Sequence, residues 1–194
     1  MNPLTGPEFF LGVVADHLQG CGIEFMVTGS FVSTFYGDPR TTRDLDIVVN
    51  AVEPPDTTIR RFVAGCESSG LYVSREAAFE PTRGARRQFN VISGSTGWKA
   101  DIMWVLDRPF SRVEFSRRRE IELLGQKVSV PSPEDIVLAK LEWGATAESR
   151  QFDDAVSVLR VQCHRLDPTY LARWATELGV SDLLNRALSA AAGK

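Results

Sequence analysis

Apolar positions recur near the start of the chain at i, i+3 and i+4. Phe9, Phe10, Val13, Val14 and Leu18 line one side of a helix that opens at Thr5 with Pro7 behind it and ends at Gly20 and Gly22. The period then changes. IEFMVTGS is a short apolar run closed by Gly29, which reads as a strand, and Ser30 is placed to cap the helix FVSTFYG, stopped by Gly37 and Pro39. From Arg40 to Asn50 the pattern is period two, with Leu45, Ile47 and Val49 on one face and Arg40, Thr42, Asp44 and Asp46 on the other. Asp56 caps a third helix, TTIRRFVAGCESS, ended by Gly70. LYVS and a loop rich in Arg and Gly lead to a hairpin in which QFNVIS and WKADIMWVL flank Gly94-Ser95-Thr96-Gly97; a second hairpin, EIELL and KVSVP, turns at Gly125.

From Ser132 onward the pattern is helical. Ser132, Pro133 and Asp135 form a capped start, Ser149 and Asp167-Pro168 begin two more helices, and Ser181 caps a last one. The layout is therefore α+β: a mixed region over residues 1–131 and a C-terminal helical region over 132–194 packed on it, with no internal repeat and no low-complexity linker.

Composition changes this picture little. At 43% apolar and 24% charged residues, the 194-residue chain is an ordinary globular one. No apolar run approaches the ~18 residues needed to span a bilayer, and the N-terminus lacks the basic start and apolar core of a signal peptide, so a cytoplasmic location without membrane contact is expected. Cys21, Cys66 and Cys163 are odd in number and widely spaced, which suggests neither a disulfide framework nor a zinc site; each reads as a small buried hydrophobe. Charge is more informative. The net value is −3, yet residues 83–119 carry nine Lys/Arg against three Asp/Glu, a stretch able to meet an anion or, equally, to blunt a solvated strand edge.

The polar face of the Arg40–Asn50 strand holds the candidate chemistry. Asp44 and Asp46 lie about 6 to 7 Å apart along a strand and repel by ~1 to 4 kcal/mol, so the pair calls for a positive charge between them. A divalent cation suits it: hard Mg²⁺ takes oxygen from one or two carboxylates and completes its shell with water and substrate phosphate. Asp101 in WKADIMWV, on the same strand face as Lys99 and Met103, supplies a third carboxylate if its strand lies beside the first. The Gly29-Ser30 turn leads into a helix N-terminus, whose free N–H groups and partial positive charge bind phosphate. Lys140 falls in the apolar stripe of its helix, which points it inward toward phosphates or lets it snorkel. Arg150, Asp153 and Asp154 open the next helix, where two acids also suit the helix dipole without further role.

Taken in order, a hydrophobic strand, Gly29-Ser30, thirteen residues, Asp44-Leu45-Asp46-Ile47 and a later Asp101 resemble the pattern of the DNA polymerase β-like nucleotidyltransferases over roughly residues 20–105. PRTTRDLDIVV and PSPEDIVLAKLEW…SRQFDDAVSVLR look further like the AbiEii/MenT-type and related bacterial branch. This resemblance implies a metal-dependent enzyme that moves a nucleoside monophosphate from an NTP such as ATP to an acceptor hydroxyl. Asp44, Asp46 and Asp101 would hold two Mg²⁺, and Gly29, Ser30, Arg40, Thr42, Lys99 and Lys140 would bind the nucleotide. The toxin-like branch implies an RNA acceptor, a tRNA 3′ end, and a cognate antitoxin protein. A small-molecule (antibiotic) nucleotidyltransferase and a non-catalytic nucleotide-binding member of the fold are the alternatives. The chain departs from the toxin-like families in a reduced tail after Ser149 and in having no evident strongly basic helix.

Overall fold

A computed structural model describes residues 6–50, 56–79, 87–144, 146 and 148–193. The chain divides into two compact units: Met1–Val27 with Arg43–Val130, and Thr28–Thr42 with Pro131–Lys194.

In the first unit, α1 (Pro7–Gly20) leads to β1 (Glu24–Thr28); then come β2 (Asp44–Asn50), α3 (Asp56–Ser68), β3 (Tyr72–Val73), α4 (Arg75–Phe79), β4 (Gln88–Ile92), β5 (Lys99–Trp104), α5 (Pro109–Ser116), β6 (Arg119–Leu123) and β7 (Gln126–Val130). The helix α2 (Gly29–Tyr36), between β1 and β2 in sequence, belongs to the second unit. Five strands form a mixed sheet in the order β1-β2-β5-β4-β3, with β2 parallel to β5 and the β4–β5 and β3–β4 pairs antiparallel. The hairpin expected around Gly94–Gly97 is the β4–β5 pair, and β6–β7 is a separate antiparallel ribbon. Its two-residue turn holds Leu124 and Gly125 at φ 52° and 72°, the left-handed pair whose twist matches that of the flanking strands.

One sheet face is wholly apolar. Leu45, Ile47 and Val49 of β2, Ala100, Ile102 and Trp104 of β5, and Phe89 and Val91 of β4 are all buried. Phe62 of α3 meets Phe89 edge-on at a centroid distance of 6.0 Å, and Phe89 meets Trp104 at 5.7 Å. The other face changes character along the strands. Val48, Met103 and Met26 pack with Phe115 of α5 into a second apolar cluster, whereas the starts of β2 and β5 carry the charged residues. The apolar cluster thus anchors the strands beyond the carboxylates while leaving their first residues exposed or half-buried.

The second unit contains α2, α6 (Pro133–Gly144), α7 (Arg150–Gln162), α8 (Pro168–Glu177) and α9 (Ser181–Ala192). The caps at Ser132, Ser149 and Asp167 form as the sequence predicts: Ser132 Oγ accepts from Asp135 N at 3.2 Å, Ser149 Oγ from Phe152 N at 3.2 Å, and Asp167 Oδ1 from Thr169 N at 2.9 Å. At α9 the expected Ser181 cap is corrected: Val180 holds the N-cap position without a side-chain bond, and Ser181 is the first helical residue. The stretch 28–42 joins these helices through specific bonds. Gln162 donates to the Tyr36 carbonyl at 2.7 Å, the Tyr36 hydroxyl to the Pro131 carbonyl at 3.0 Å, and the Asp38 N–H to Ser157 Oγ at 2.6 Å. A Cβ at Gly37 would stand 2.5 Å from Ser157 Oγ, so glycine is what lets this backbone approach α7.

Several sequence expectations are corrected. The second strand begins at Asp44, not Arg40, so Arg40 and Thr42 precede it rather than sharing the face of Asp44 and Asp46. The physical reason is tertiary: Arg40 is held by Asp154 of α7. Two short helices, α4 and α5, occupy stretches with no helix assigned. Cys66 is buried, but Cys21 is only partly so and Cys163 is exposed. Burial, with the nearby charges of Cys21 and Glu67, pushes the Cys66 thiol up to about 12, which makes it inert at neutral pH. Thr5 lies outside the described residues, as do Arg83 and Arg86. No helix among the described residues is long and apolar enough to cross a membrane.

Candidate active site

Register explains the carboxylate face of the first unit. In the parallel β2–β5 pair, Asp44 stands opposite Lys99 and Asp46 opposite Asp101; in the antiparallel β4–β5 pair, Asp101 stands opposite Asn90. Partners on adjacent strands lie about 4.8 Å apart and share a face. Asp46, Asp101 and Asn90 therefore form one row across three strands, with Asp44 and Lys99 in the next row. The three carboxylates expected from the sequence do come to one face, because a crossover makes the Asp101 strand the neighbour of the Asp44/Asp46 strand.

The Lys99 ammonium stands among them. Lys99 Nζ is 3.1 Å from Asp101 Oδ2 and 3.7 Å from Asp44 Oδ1. The second Asp101 oxygen, Oδ1, accepts from the Asn90 amide. Partial burial alone would lower the Lys99 pKa, but the hydrogen bond to Asp101 and the charges of Asp101, Asp44 and Asp46 outweigh it and hold the group above its ordinary value. Asp44 is 59% exposed and Asp101 21%, so the face is reachable from solvent.

The donor chemistry suits a hard divalent cation, since all three acids offer oxygen from neighbouring register positions. Among the described residues, however, no three acidic, histidine or cysteine side chains are gathered as a metal-binding group. In this arrangement the charge that Asp101 and Asp44 share is the Lys99 ammonium. Asn90 was not anticipated from the sequence, although its place between Phe89 and Val91 in an alternating strand was the available signal.

The remaining expected residues lie in the second unit. Gly29 is the first residue of α2 and has φ 67°, a left-handed conformation costly for a residue with a Cβ. Thr28, not Ser30, occupies the N-cap position, without a side-chain cap. The Ser30 hydroxyl instead accepts from Arg40 Nη2 at 2.5 Å. Arg40 also grips Asp154 with two nitrogens, Nε to Oδ1 at 2.8 Å and Nη2 to Oδ2 at 2.9 Å. Lys140 is inward as its position in the stripe predicts and 5% exposed; its ammonium donates to Asp154 Oδ2 at 2.7 Å and to Gln151 Oε1 at 2.8 Å. Ser33 adds a longer bond to the same oxygen at 3.4 Å. Thr42 is half-buried and precedes the strand.

Asp154 is thus the hub of a buried cluster, a role the helix-dipole reading of Asp153 and Asp154 did not foresee. Burial alone would raise its pKa, but hydrogen bonds from Arg40 and Lys140, with their charges, hold the carboxyl below its ordinary range.

Much of the basic stretch is engaged within the first unit. Arg112 pairs with Asp107, Arg118 pairs with Glu24 at 3.1 Å and lies over the Phe115 ring, and Arg87 lies 4.4 Å over the Trp104 ring. A cleft of about 360 Å³ is lined by Glu24, Arg118, Glu120 and Lys127 among others, and contains none of the candidate residues.

The mixed five-stranded sheet flanked by helices, with a helical C-terminal region, matches the fold of a solved nucleotidyltransferase-like structure. An antigenic nucleotidyltransferase-like protein from Paracoccidioides brasiliensis superimposes with a TM-score of 0.58 at 16% identity, over 94% of this chain and 92% of that one. Two further solved structures overlap less well. ANT(2″)-Ia in complex with adenylyl-2″-tobramycin matches at 13% identity over 95% of this chain and 97% of that one, with a TM-score of 0.47. JHP933 from Helicobacter pylori matches at 15% identity over 95% and 88%, with a TM-score of 0.45. The fold assignment rests on the first alone. No protein-family model and no curated protein sequence matches the chain.

Proposed function

We propose that the protein transfers a nucleoside monophosphate from an NTP to an acceptor hydroxyl. The observation that carries this reading is the parallel register of β2 and β5, which sets Asp46 beside Asp101 and Asp44 beside Lys99 on one solvent-reachable face.

Asp44, Asp46 and Asp101 would hold Mg²⁺, two ions in the full scheme; bound there, the metal would lower the pKa of the acceptor hydroxyl and offset charge on the departing pyrophosphate. The chain's own residues do the rest. Asn90 fixes the orientation of Asp101 by the hydrogen bond its side-chain amide donates, and the apolar cluster beyond the carboxylates holds both strands in register. In the second unit, the α2 N-terminus after Gly29, together with the Ser30 hydroxyl, supports phosphate binding. Positioning and electrostatics supply most of the rate in such transfers. Arg40 and Lys140 enter indirectly in this reading, because both are bound to Asp154.

For the acceptor we take an RNA 3′ end, most simply tRNA, as in the AbiEii/MenT-like, toxin-like branch that the sequence resembles, with an antitoxin as its protein partner. An antibiotic hydroxyl and a purely nucleotide-binding role are the competing outcomes of one experiment. The protein is incubated with Mg²⁺ and each labelled NTP, alone, with total tRNA, and with an aminoglycoside. Label on tRNA supports the reading; label on the drug moves the acceptor to a small molecule. NTP binding with no label on any acceptor replaces the enzyme with a sensor. Asp46→Asn should abolish transfer, and retained transfer would remove the carboxylate face from the chemistry.

A further inference from the structure

We propose that Lys99 is a resident counter-cation whose displacement sets the divalent-ion affinity of the carboxylate face. The inference rests on the proposed metal-dependent function and concerns what that site must give up on loading.

Asp101 has both carboxylate oxygens engaged. Oδ1 accepts from the neutral Asn90 amide, and Oδ2 faces the Lys99 ammonium at 3.1 Å. The two partners differ in what a divalent ion would do to them. The amide is uncharged and can keep its bond while Asp101 ligates through the other oxygen. The ammonium carries a full positive charge on the oxygen a metal would use, and it stands 3.7 Å from Asp44 Oδ1 as well. A second cation drawing on Asp44 and Asp101 meets direct repulsion from Nζ unless the lysine swings away. The swing is open to it: four methylenes separate the charge from the strand, and the side chain is 35% exposed. Without metal, Lys99 relieves repulsion among the acids and keeps the face ordered; with metal, its charge is released and available for other contacts. A lysine dedicated only to a triphosphate would not need to sit between two carboxylates.

Sign separates these roles. If Lys99 competes with metal, removing its charge tightens divalent binding; if it serves only the nucleotide, metal affinity without nucleotide is unchanged. The test is Mn²⁺ binding at low ionic strength without nucleotide, followed by electron paramagnetic resonance, for the wild type, Lys99→Gln, Lys99→Arg and Asp46→Asn. Thermal midpoints check that each variant is folded. Lys99→Gln should bind Mn²⁺ more tightly, on the order of tenfold, Lys99→Arg should stay near the wild type, and Asp46→Asn should lose binding. Equal or weaker binding by Lys99→Gln, with wild-type binding intact and lost in Asp46→Asn, overturns the inference and leaves the proposed function standing. Absence of Mn²⁺ binding in the wild type and in Lys99→Gln overturns both. Tighter binding by Lys99→Arg equal to that of Lys99→Gln would point to side-chain shape rather than charge and also overturn the inference.

Discussion

In the first unit the Lys99 ammonium stands against the carboxylates of Asp101 and Asp44; in the second, one carboxylate is gripped by an ammonium and a guanidinium. The first group sits at strand starts where Asp44 is 59% exposed. The second has an excess of positive charge, with Asp154 and Lys140 both buried. Exposure decides what such charges do. Solvated carboxylates contribute little to stability, so the exposed acidic face can take the ligand role proposed for it at little cost to the fold. A buried ion pair is different, because losing one member strands the other away from water. The same residue types therefore form the proposed ligand-binding face in one place and a structural clasp in the other.

The strongest way to break this contrast is Asp154→Ala. Among the described residues it leaves the buried Lys140 ammonium with Gln151 as its remaining hydrogen-bond partner, and should cost about 3 to 5 kcal/mol in urea denaturation. Lys140→Met should cost less, since Asp154 keeps Arg40, and the Asp154→Ala/Lys140→Met double variant should recover part of the loss. A loss below about 1 kcal/mol in Asp154→Ala would make the clasp as dispensable as a surface pair.

Acid supplies the next test. The carboxyl of Asp154 sits below its ordinary 3.8 in the folded protein. Its contribution is therefore complete above that value and is lost as pH falls through the lower folded value. Thermal midpoints taken downward from about pH 5 should fall more steeply for the wild type than for Asp154→Asn below about pH 4. Lys99 has the opposite sign: its pKa is raised above 10.5, so its contribution persists through neutral pH and is lost only as pH rises above that value. Parallel acid slopes in wild type and Asp154→Asn would show that the clasp is not charged in the folded state.

The two regions also differed in how legible they were. The carboxylate face could be read because strand alternation is local: Asp-Leu-Asp-Ile fixes a face, and a lone Asp101 amid Ala100, Ile102 and Trp104 fixes another. Only the crossover that makes β2 and β5 neighbours had to come from the family pattern. The clasp was not legible, because its members are far apart in sequence; Arg40 and Asp154 are 114 residues apart. Extending the period-two reading upstream to Arg40 and Thr42 followed from local pattern alone, and the Arg40–Asp154 pair overrode it. The short helix α5 was missed for another reason. Pro109 marks its start, but eight residues give too few turns for an apolar stripe to stand out.

Backbone conformation offers a smaller effect that separates shape from charge within the second unit. Gly29→Ala places a Cβ at φ 67° and should cost about 1 kcal/mol or slightly more, without altering the Asp154 acid slope. A change in that slope would mean that the turn and the clasp act as one element.

The smallest effect should come from the carboxylate face itself. Asp44 is exposed, and its contact with Lys99 is long, at 3.7 Å; an exposed pair of this kind contributes between nothing and about 1 kcal/mol. Against that small gain stands repulsion from Asp46, two residues along the same strand face. Asp44→Asn removes these two opposing effects at an exposed site, so urea denaturation in metal-free buffer should give a stability within about 0.5 kcal/mol of the wild type, with a rise as acceptable as no change. Asp46→Asn should behave likewise, since the variant keeps the strand and its apolar neighbours Leu45 and Ile47. Added Mn²⁺ then sharpens the comparison. If the face is a ligand site, the metal raises the wild-type midpoint and not that of either variant, because only a ligand that binds the folded state shifts the equilibrium. A loss of several kcal/mol in metal-free buffer from either substitution would instead make the face structural, and the distinction between the two charge clusters would fall.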